Sequence, residues 1–487
     1  MNIKTPSWVK HAVFYQIFPD RFCKSTRTTH ERGIQFKAWG TPPEQQGYQC
    51  GDLYGIVDKL DYLKDLGITA LYLNPIFSAA SNHRYNAYDF LKVDPLLGGE
   101  AALRELLDQA HKREMRVILD GVLNHCGRGF WAFHHILENG GNSPYIDWFT
   151  IEKFPLHPYP KDGKEKPNYW SWWGNASLPK FNTNNPGVRD YLFHVTRHWL
   201  EFGIDGWRLD VPEEINDDAF WREFRQIVKR VNPEAYIVGE IWHEARRWLQ
   251  GDMFDAVMNY QITGPILSFF GGNNTNQTWS HRDIKLGALP APLFKQSIES
   301  MLGQYDSEIN FAQMNMLDSH DMPRARWLLN NDDKAHRLAV LCQMTMPGTP
   351  SVYYGDEVGL SAGTDPYCRE AFPWHKPEIW NTSLRQFYRS AIKLRKSCKP
   401  LRTGDLQFIY AEKRQIAYRR RLGGQEAIVA CNASRKPALI SIPSQNLAHK
   451  YYDQVWPPGN ERSITIAGSH LKLEFPPQSA FVVVGRK

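Results

Sequence analysis

No apolar stretch of about 18 residues, the length a membrane helix needs, occurs in the 487-residue chain, and Met1-Asn2-Ile3-Lys4-Thr5-Pro6 offers no apolar signal core. A membrane span is excluded, no membrane partner is expected, and the cytoplasm is the expected location. No C-x-x-C pair and no histidine cluster at zinc-ligand spacing is present. The seven cysteines, Cys23, Cys50, Cys126, Cys342, Cys368, Cys398 and Cys431, are odd in number and scattered, which predicts reduced, buried thiols rather than a disulfide framework. There is no Lys/Arg block either: 58 basic residues stand against 52 acidic ones, a net charge of +6 spread along the chain, so no nucleic-acid partner is expected. Repeats and low-complexity tracts are also lacking. What is present is ordinary globular composition, 42% hydrophobic and 23% charged, with material for about three domains or one large barrel and a companion. Aromatic residues reach 13%, including 17 Trp, while mean hydropathy is only −0.50, so many rings lie at or near the surface. Such rings suit the C–H faces of sugars; the alternative is that they fill a large core.

Eight short apolar, β-rich runs recur, at 13–18, 68–73, 116–119, 206–211, 236–241, 254–259, 312–317 and 350–354. Amphipathic helices are predicted between them, for instance over 56–66 and 100–113. That alternation demands a parallel sheet covered by helices, and eight units predict an α/β fold, a closed (β/α)8 TIM barrel. The interval 127–187 is rich in Pro, Gly, Asn, Trp and Tyr, with little helical period, and reads as a subdomain inserted after strand 3 at the catalytic face. The barrel then comprises 1–126 and 188–398. After a helix predicted over 383–395 a boundary falls near 397–403. Runs at 415–419, 426–431, 438–442, 463–467 and 480–484 predict a C-terminal antiparallel β-sandwich over 399–487.

In such a barrel the active site lies at the C-terminal ends of the strands. Four strands end in polar residues: Asp120-Gly121-Val122-Leu123-Asn124-His125 on the third, Arg208-Leu209-Asp210 on the fourth, Glu240-Ile241-Trp242-His243 on the fifth, and Ser319-His320-Asp321 on the seventh. One such aspartate is ordinarily a cap or turn former; carboxylates converging from three strands are what glycosidic-bond chemistry requires. Asp210 and Glu240 can supply the pair. Arg208, two residues before Asp210, shares its face and is expected to hold it ionised as the nucleophile. Glu240, with Trp242 on its own face, is expected to have a raised pKa suited to a general acid and then base. Asp321 would be a third carboxylate, gripping sugar hydroxyls as charge develops.

With these motifs the sequence resembles the α-amylase family of glycoside hydrolases, and within it the neopullulanase, cyclomaltodextrinase and maltogenic amylase group. The resemblance runs from Phe14-Tyr15-Gln16-Ile17-Phe18-Pro19-Asp20-Arg21-Phe22 to the C-terminal sheet, and includes Leu178-Pro179-Lys180-Phe181-Asn182 and Pro347-Gly348-Thr349-Pro350. It implies Asp210 as nucleophile, Glu240 as acid/base and Asp321 as transition-state stabiliser in a retaining double displacement. It further implies that His125, Arg208 and His320 bind the sugar before the scissile bond, that Tyr85 stacks on that ring, and that Asp365 and Arg369 hold substrate. Trp242 and His243 would line the leaving-group side. Asn124 would brace the insert, since the aspartate-rich calcium loop of some relatives is not visible, and neither a metal nor a cofactor is expected.

Two departures bear on specificity. The group usually carries an extra N-terminal β-domain that helps to form a dimer, whereas here the first barrel strand starts near residue 12, so a homodimer is plausible only by analogy. After Asp210 the chain reads Val211-Pro212-Glu213-Glu214 where the group often shows V-A-N-E, and Asp318 stands where a small residue is common. The expectation is an α-glucan hydrolase acting on α-1,4 or α-1,6 bonds of maltodextrins, pullulan, cyclodextrins or branched glucans, with debranching as one form. The alternatives are a glucanotransferase using the same intermediate, or a non-catalytic glucan-binding protein.

Overall fold

The computed structural model describes residues 3–31, 33–160, 166–466 and 468–486. Residues 161–165 of the expected insert, and Ala467 at the end of the 463–467 run, lie outside the described residues. Eight parallel strands form one sheet: β1 (Phe14–Ile17), β2 (Ala70–Leu73), β3 (Arg116–Gly121), β4 (Gly206–Leu209), β5 (Tyr236–Gly239), β6 (Ala256–Val257), β7 (Met314–Asn315) and β8 (Thr349–Tyr353). Their order is β7-β8-β1-β2-β3-β4-β5-β6, and a parallel bridge between Met258 and Met314 closes the ring. The strands are apolar without alternation because helices cover the outside and side chains fill the inside, so residues on both faces of β1, β2, β4 and β5 are buried. Close packing constrains the sequence directly: a Cβ on Gly206 would sit 2.2 Å from the Tyr236 carbonyl on the neighbouring strand.

The crossover helices follow capping rules. Helix Pro186–Phe202 starts where Asn185 accepts the Gly187 and Val188 amides at 2.8 and 3.3 Å, has Pro at its first position, and ends at Gly203 with φ 112°. The single helix predicted over 56–66 is instead two, Leu53–Asp58 and Leu60–Leu66. Asp52 caps the first by accepting the Gly55 amide, and the backbone breaks at Lys59 (φ −107°, ψ 4°). A hairpin of Phe77–Ala79 with Ala87–Val93, not predicted, fills the loop after β2 and delivers Tyr85 to the top of the barrel.

The insert after β3 is less irregular than its composition suggested. It holds a helix, Trp131–Asn139, whose Phe133 packs edge-on against Phe149 and Tyr169, with ring centroids 5.0 and 4.9 Å away. Antiparallel bridges His125–Lys180 and Phe149–Phe181 return its end to the strand that launched it. The segment around 397–403, where a boundary was expected, is structured. It forms the short helix Lys399–Thr403, and buried Arg395 and Arg420 both donate to the Leu401 carbonyl, at 3.0 and 3.1 Å. Beyond it lie a six-stranded antiparallel sheet and a separate antiparallel pair, Ala438–Pro443 with His470–Phe475. Strands Asp405–Glu412, Tyr451–Trp456 and His470–Phe475 were not among the predicted runs; polar residues interrupt their apolar ones, as Lys472 and Glu474 do in the last. No helix among the described residues is long and apolar enough to cross a membrane.

Candidate active site

A cavity of about 360 Å³ opens at the C-terminal ends of the barrel strands. Tyr85, His125, Asp210, Glu240, Trp242, Asp321, Asp365 and Arg369 line it, so eight of the eleven expected site residues reach its wall. Arg208 and His320 are fully buried beneath it. His243 is displaced from the expected position: its imidazole turns outward, half-exposed, with Nε2 2.7 Å from Glu213 and Nδ1 2.9 Å from the Glu244 carbonyl.

Arg208 is the hub. Its guanidinium lies 2.8 Å from Asp120, 3.0 Å from Asp210 and 3.0 Å from Glu240. The fork geometry of arginine makes this bridge possible where a lysine's point charge would not. The expectation that Arg208 keeps Asp210 simply ionised needs correction. Burial pushes the Asp210 carboxyl well above the usual carboxylate range; Arg208 opposes this, while Glu240, Asp120 and Asp321 reinforce it. Arg208 reaches Glu240 at the same distance as Asp210, so its contact does not distinguish the two. One cation among Asp120, Asp210 and Glu240 leaves excess negative charge, and such a cluster retains a proton.

What does distinguish the two carboxylates is their other partners. Glu240 accepts the Trp242 indole N–H at 3.0 Å on Oε1 and the Val211 amide at 3.2 Å on Oε2. Burial raises its pKa, while Arg208 and these two donors pull it down. Trp242 was expected to give Glu240 an apolar neighbour; in the structure it offers a polar N–H edge and stacks its face on Tyr260, centroids 3.5 Å apart. Asp210 accepts only from Arg208, on Oδ1, and its Oδ2 has no bond to the described residues. Val211 makes this geometry: its φ of 36° and ψ of 51° bend the chain sharply after Asp210, a conformation that costs a β-branched residue about 1–3 kcal/mol and turns its amide toward Glu240.

The opposite wall is a hydrogen-bonded stack. Tyr85 lies parallel to His320 with centroids 5.4 Å apart and an interplanar angle of 5°. The Tyr85 hydroxyl meets Asp120 Oδ2 at 2.8 Å and His320 Nε2 at 2.5 Å. Gln16 Nε2 donates to His320 Nδ1 at 2.8 Å, which leaves the imidazole proton on Nε2; burial keeps that ring neutral. His125 is likewise held neutral by burial, its pKa lowered to about 3. Asn124 Nδ2 approaches its Nδ1 at 3.2 Å, and its buried Nε2 makes no side-chain hydrogen bond among the described residues. The Asn124 carbonyl accepts the Phe181 amide at 3.0 Å and so braces the insert. Arg369 donates to the His320 carbonyl at 2.9 Å and to Asp321 Oδ1 at 3.2 Å, and pairs with Asp365 at 3.0 Å. Its contacts make it a brace for Asp321 as much as a substrate ligand.

Sequence reasoning missed other lining residues: Gln45, His83, Trp172, Trp173, Asn175, Leu178, Val211, His281 and Arg282. The Trp172-Trp173 pair had a signal, since it stands in the aromatic run of the insert; the rings stack at 4.7 Å and Trp173 is 66% exposed. Asp120, quoted in the strand-end motif but given no role, proves to be part of the Arg208 cluster. Among the described residues no group of three or more His, Cys, Asp or Glu side chains is placed to hold a metal.

This arrangement can deliver two carboxyl groups and a third carboxylate to a polyhydroxylated ring. Comparison with known proteins agrees. The family described as alpha amylase, catalytic domain, matches residues 16–381. A cyclomaltodextrinase from Geobacillus thermopakistaniensis is 41% identical over 444 residues, 90% of this chain and 72% of that protein. A debranching enzyme from Nostoc punctiforme is 43% identical with a TM-score of 0.90, over 99% of this chain and 100% of that one. A structure from Thermus thermophilus is 44% identical with a TM-score of 0.93, over 98% of this chain and 99% of that one.

Proposed function

The chain belongs to the α-amylase family of glycoside hydrolases, and from that premise we propose that it hydrolyses α-glucans with retention of anomeric configuration, removing branches among its activities. The observation that carries the reading is the Arg208 bridge, which holds Asp210 and Glu240 side by side at one end of a ring-lined cavity whose other wall carries Asp321. Asp210, with one oxygen free of bonds to the described residues, attacks the anomeric carbon. Glu240, to which we assign the one proton that the Asp120, Asp210 and Glu240 cluster retains, protonates the leaving oxygen and then, as carboxylate, activates the water that hydrolyses the glycosyl-enzyme. In forming that ester Asp210 loses its charge, so the buried cluster loses one negative charge and Glu240 can release its proton at lower cost. Asp321, held by Arg369 and His320, faces the developing positive charge. His125 Nε2 and the Tyr85 face bind the ring before the scissile bond.

Debranching is supported by the 43% identity to the Nostoc punctiforme enzyme over nearly the whole chain, while the identity to a cyclomaltodextrinase supports action on α-1,4 bonds. Seven buried free cysteines suit a reducing, cytoplasmic setting. The division into a barrel (1–126 and 188–398), an insert (127–187) and a C-terminal unit (399–487) is part of the same reading.

The test is product analysis on pullulan, β-cyclodextrin and a branched maltodextrin, with Glu240→Gln as the blank. Linear chains released from the branched substrate alone assign debranching; ring opening and panose or maltose assign broad α-1,4 action. Wild-type turnover by Glu240→Gln, or a fluorosugar label on Glu240 instead of Asp210, would overturn the roles.

A further inference from the structure

The short turn that follows Asp210 does more than end β4. Residues Pro212–Glu214 form one 3-10 turn from which two carboxylates reach three different loops around the cavity. Glu214 takes Lys180 of the insert, whose Nζ lies 2.7 Å from the Glu214 carbonyl and 3.3 Å from its carboxylate. Glu213 takes His243 Nε2 at 2.7 Å from the loop after β5, and Arg282 Nη1 at 2.8 Å from the hairpin Ser280–His281 with Ile284–Lys285. Burial pushes the Glu213 carboxyl up, but the hydrogen bonds from Arg282 and His243 outweigh it and hold the group below the usual glutamate range.

Arg282 is the member that matters for substrate. Its guanidinium carbon lies 6.0 Å from the Trp173 ring centre and 5.6 Å from that of Trp242, and both rings and Arg282 line the cavity. Trp242 donates to Glu240, the carboxyl that meets the leaving oxygen, so this is the leaving-group side. Among the described residues Glu213 is the single hydrogen-bond partner of Arg282, which leaves most of its five N–H donors uncommitted between two aromatic faces.

We infer that Arg282, tethered by Glu213 and flanked by Trp173 and Trp242, is a specificity-determining residue that binds hydroxyls of the glucose units on the leaving-group side. Planar donors beside indole faces match a sugar that stacks through its C–H face and presents vicinal hydroxyls at its edge. The inference rests on the α-glucan reading and deepens it. In acid, protonation of Glu213 removes the tether, and the hairpin loses the contact that aims Arg282.

The test compares maltohexaose with α-maltosyl fluoride, whose leaving group is one atom and cannot reach Arg282. Arg282→Ala is expected to lose about tenfold more kcat/KM on maltohexaose than on the fluoride, through KM rather than kcat, and to transfer less to added maltotriose. Arg282→Lys keeps the charge without the fork and stays nearer Arg282→Ala than wild type. Glu213→Gln keeps Arg282 but slackens it, and shifts KM for maltohexaose in the same direction. Equal losses on both substrates, or none, overturn this inference alone; inertness of the wild-type enzyme toward both overturns the α-glucan reading and this inference with it.

Discussion

Replacing Arg208 by Lys keeps one positive charge beneath the site and removes the fork that bridges it. In the structure that fork serves Asp120 at 2.8 Å and both Asp210 and Glu240 at 3.0 Å, through two different nitrogens. Lysine carries its three donors on one atom of a shorter side chain, so it cannot serve Asp120 and Asp210 and also occupy the position that Nη2 holds 3.0 Å from Glu240, and one contact is lost. Such a contact is worth about 1.5–3 kcal/mol. Expressed in the transition state, that is a fall in kcat/KM of about one to two decades. The pH profile gives the sharper readout. Arg208 lowers the pKa of both Asp210 and Glu240 against burial, so weakening it lets both rise. On the proposed roles, the acid limb, set by ionisation of Asp210, moves to higher pH; the basic limb, set by the proton on Glu240, moves the same way. Both carboxyls are raised in the folded state, so folding is favoured by their neutral forms, and the variant's melting midpoint should fall relative to wild type as pH rises through the titration of the cluster. Initial rates on maltohexaose from acid to mildly alkaline pH, with thermal melts at each pH, measure all three. Activity within about twofold of wild type and unmoved limbs would refute the account of Arg208 as the hub, since a lost contact of this size must show in the rate.

Trp242→Phe removes the indole N–H that Glu240 Oε1 accepts at 3.0 Å while keeping an aromatic face for Tyr260. Losing a donor to the ionised form raises the Glu240 pKa, so the basic limb of kcat/KM should shift upward with the acid limb unchanged, and a downward shift would contradict the assignment. Tyr85→Phe deletes the hydroxyl shared by Asp120 and His320 and should cost about 0.5–1.5 kcal/mol, read as a kcat/KM loss on maltohexaose with the protein still folded; full activity would limit the role of Tyr85 to stacking.

The architecture, and the place of the candidate site on it, were legible in one dimension. Strands buried on both faces read as largely apolar runs, and four of them lead into Asp, Glu or His, which placed Asp210, Glu240 and Asp321 at one end of the barrel from periodicity and position. Capping residues such as Asn185, Pro186 and Gly203 act within a few residues of themselves, and so are legible in the same way. Which groups share which partners was settled in three dimensions. Arg208 serves Asp120 and Glu240 as well as Asp210, and nothing in the local spacing of Arg208 and Asp210 shows the other two. Trp242 turns its N–H rather than an apolar edge to Glu240, and His243 turns out to Glu213, because rings packed from Tyr260 and charges from the hairpin at Arg282 fix their rotamers. The alternating C-terminal strands were hidden for a related reason: one face meets solvent, and only pairing with a distant strand defines them. Contacts between loops far apart in the chain carry no sequence period, so Trp173, Glu213 and Arg282 became a group only when the barrel brought them to one rim.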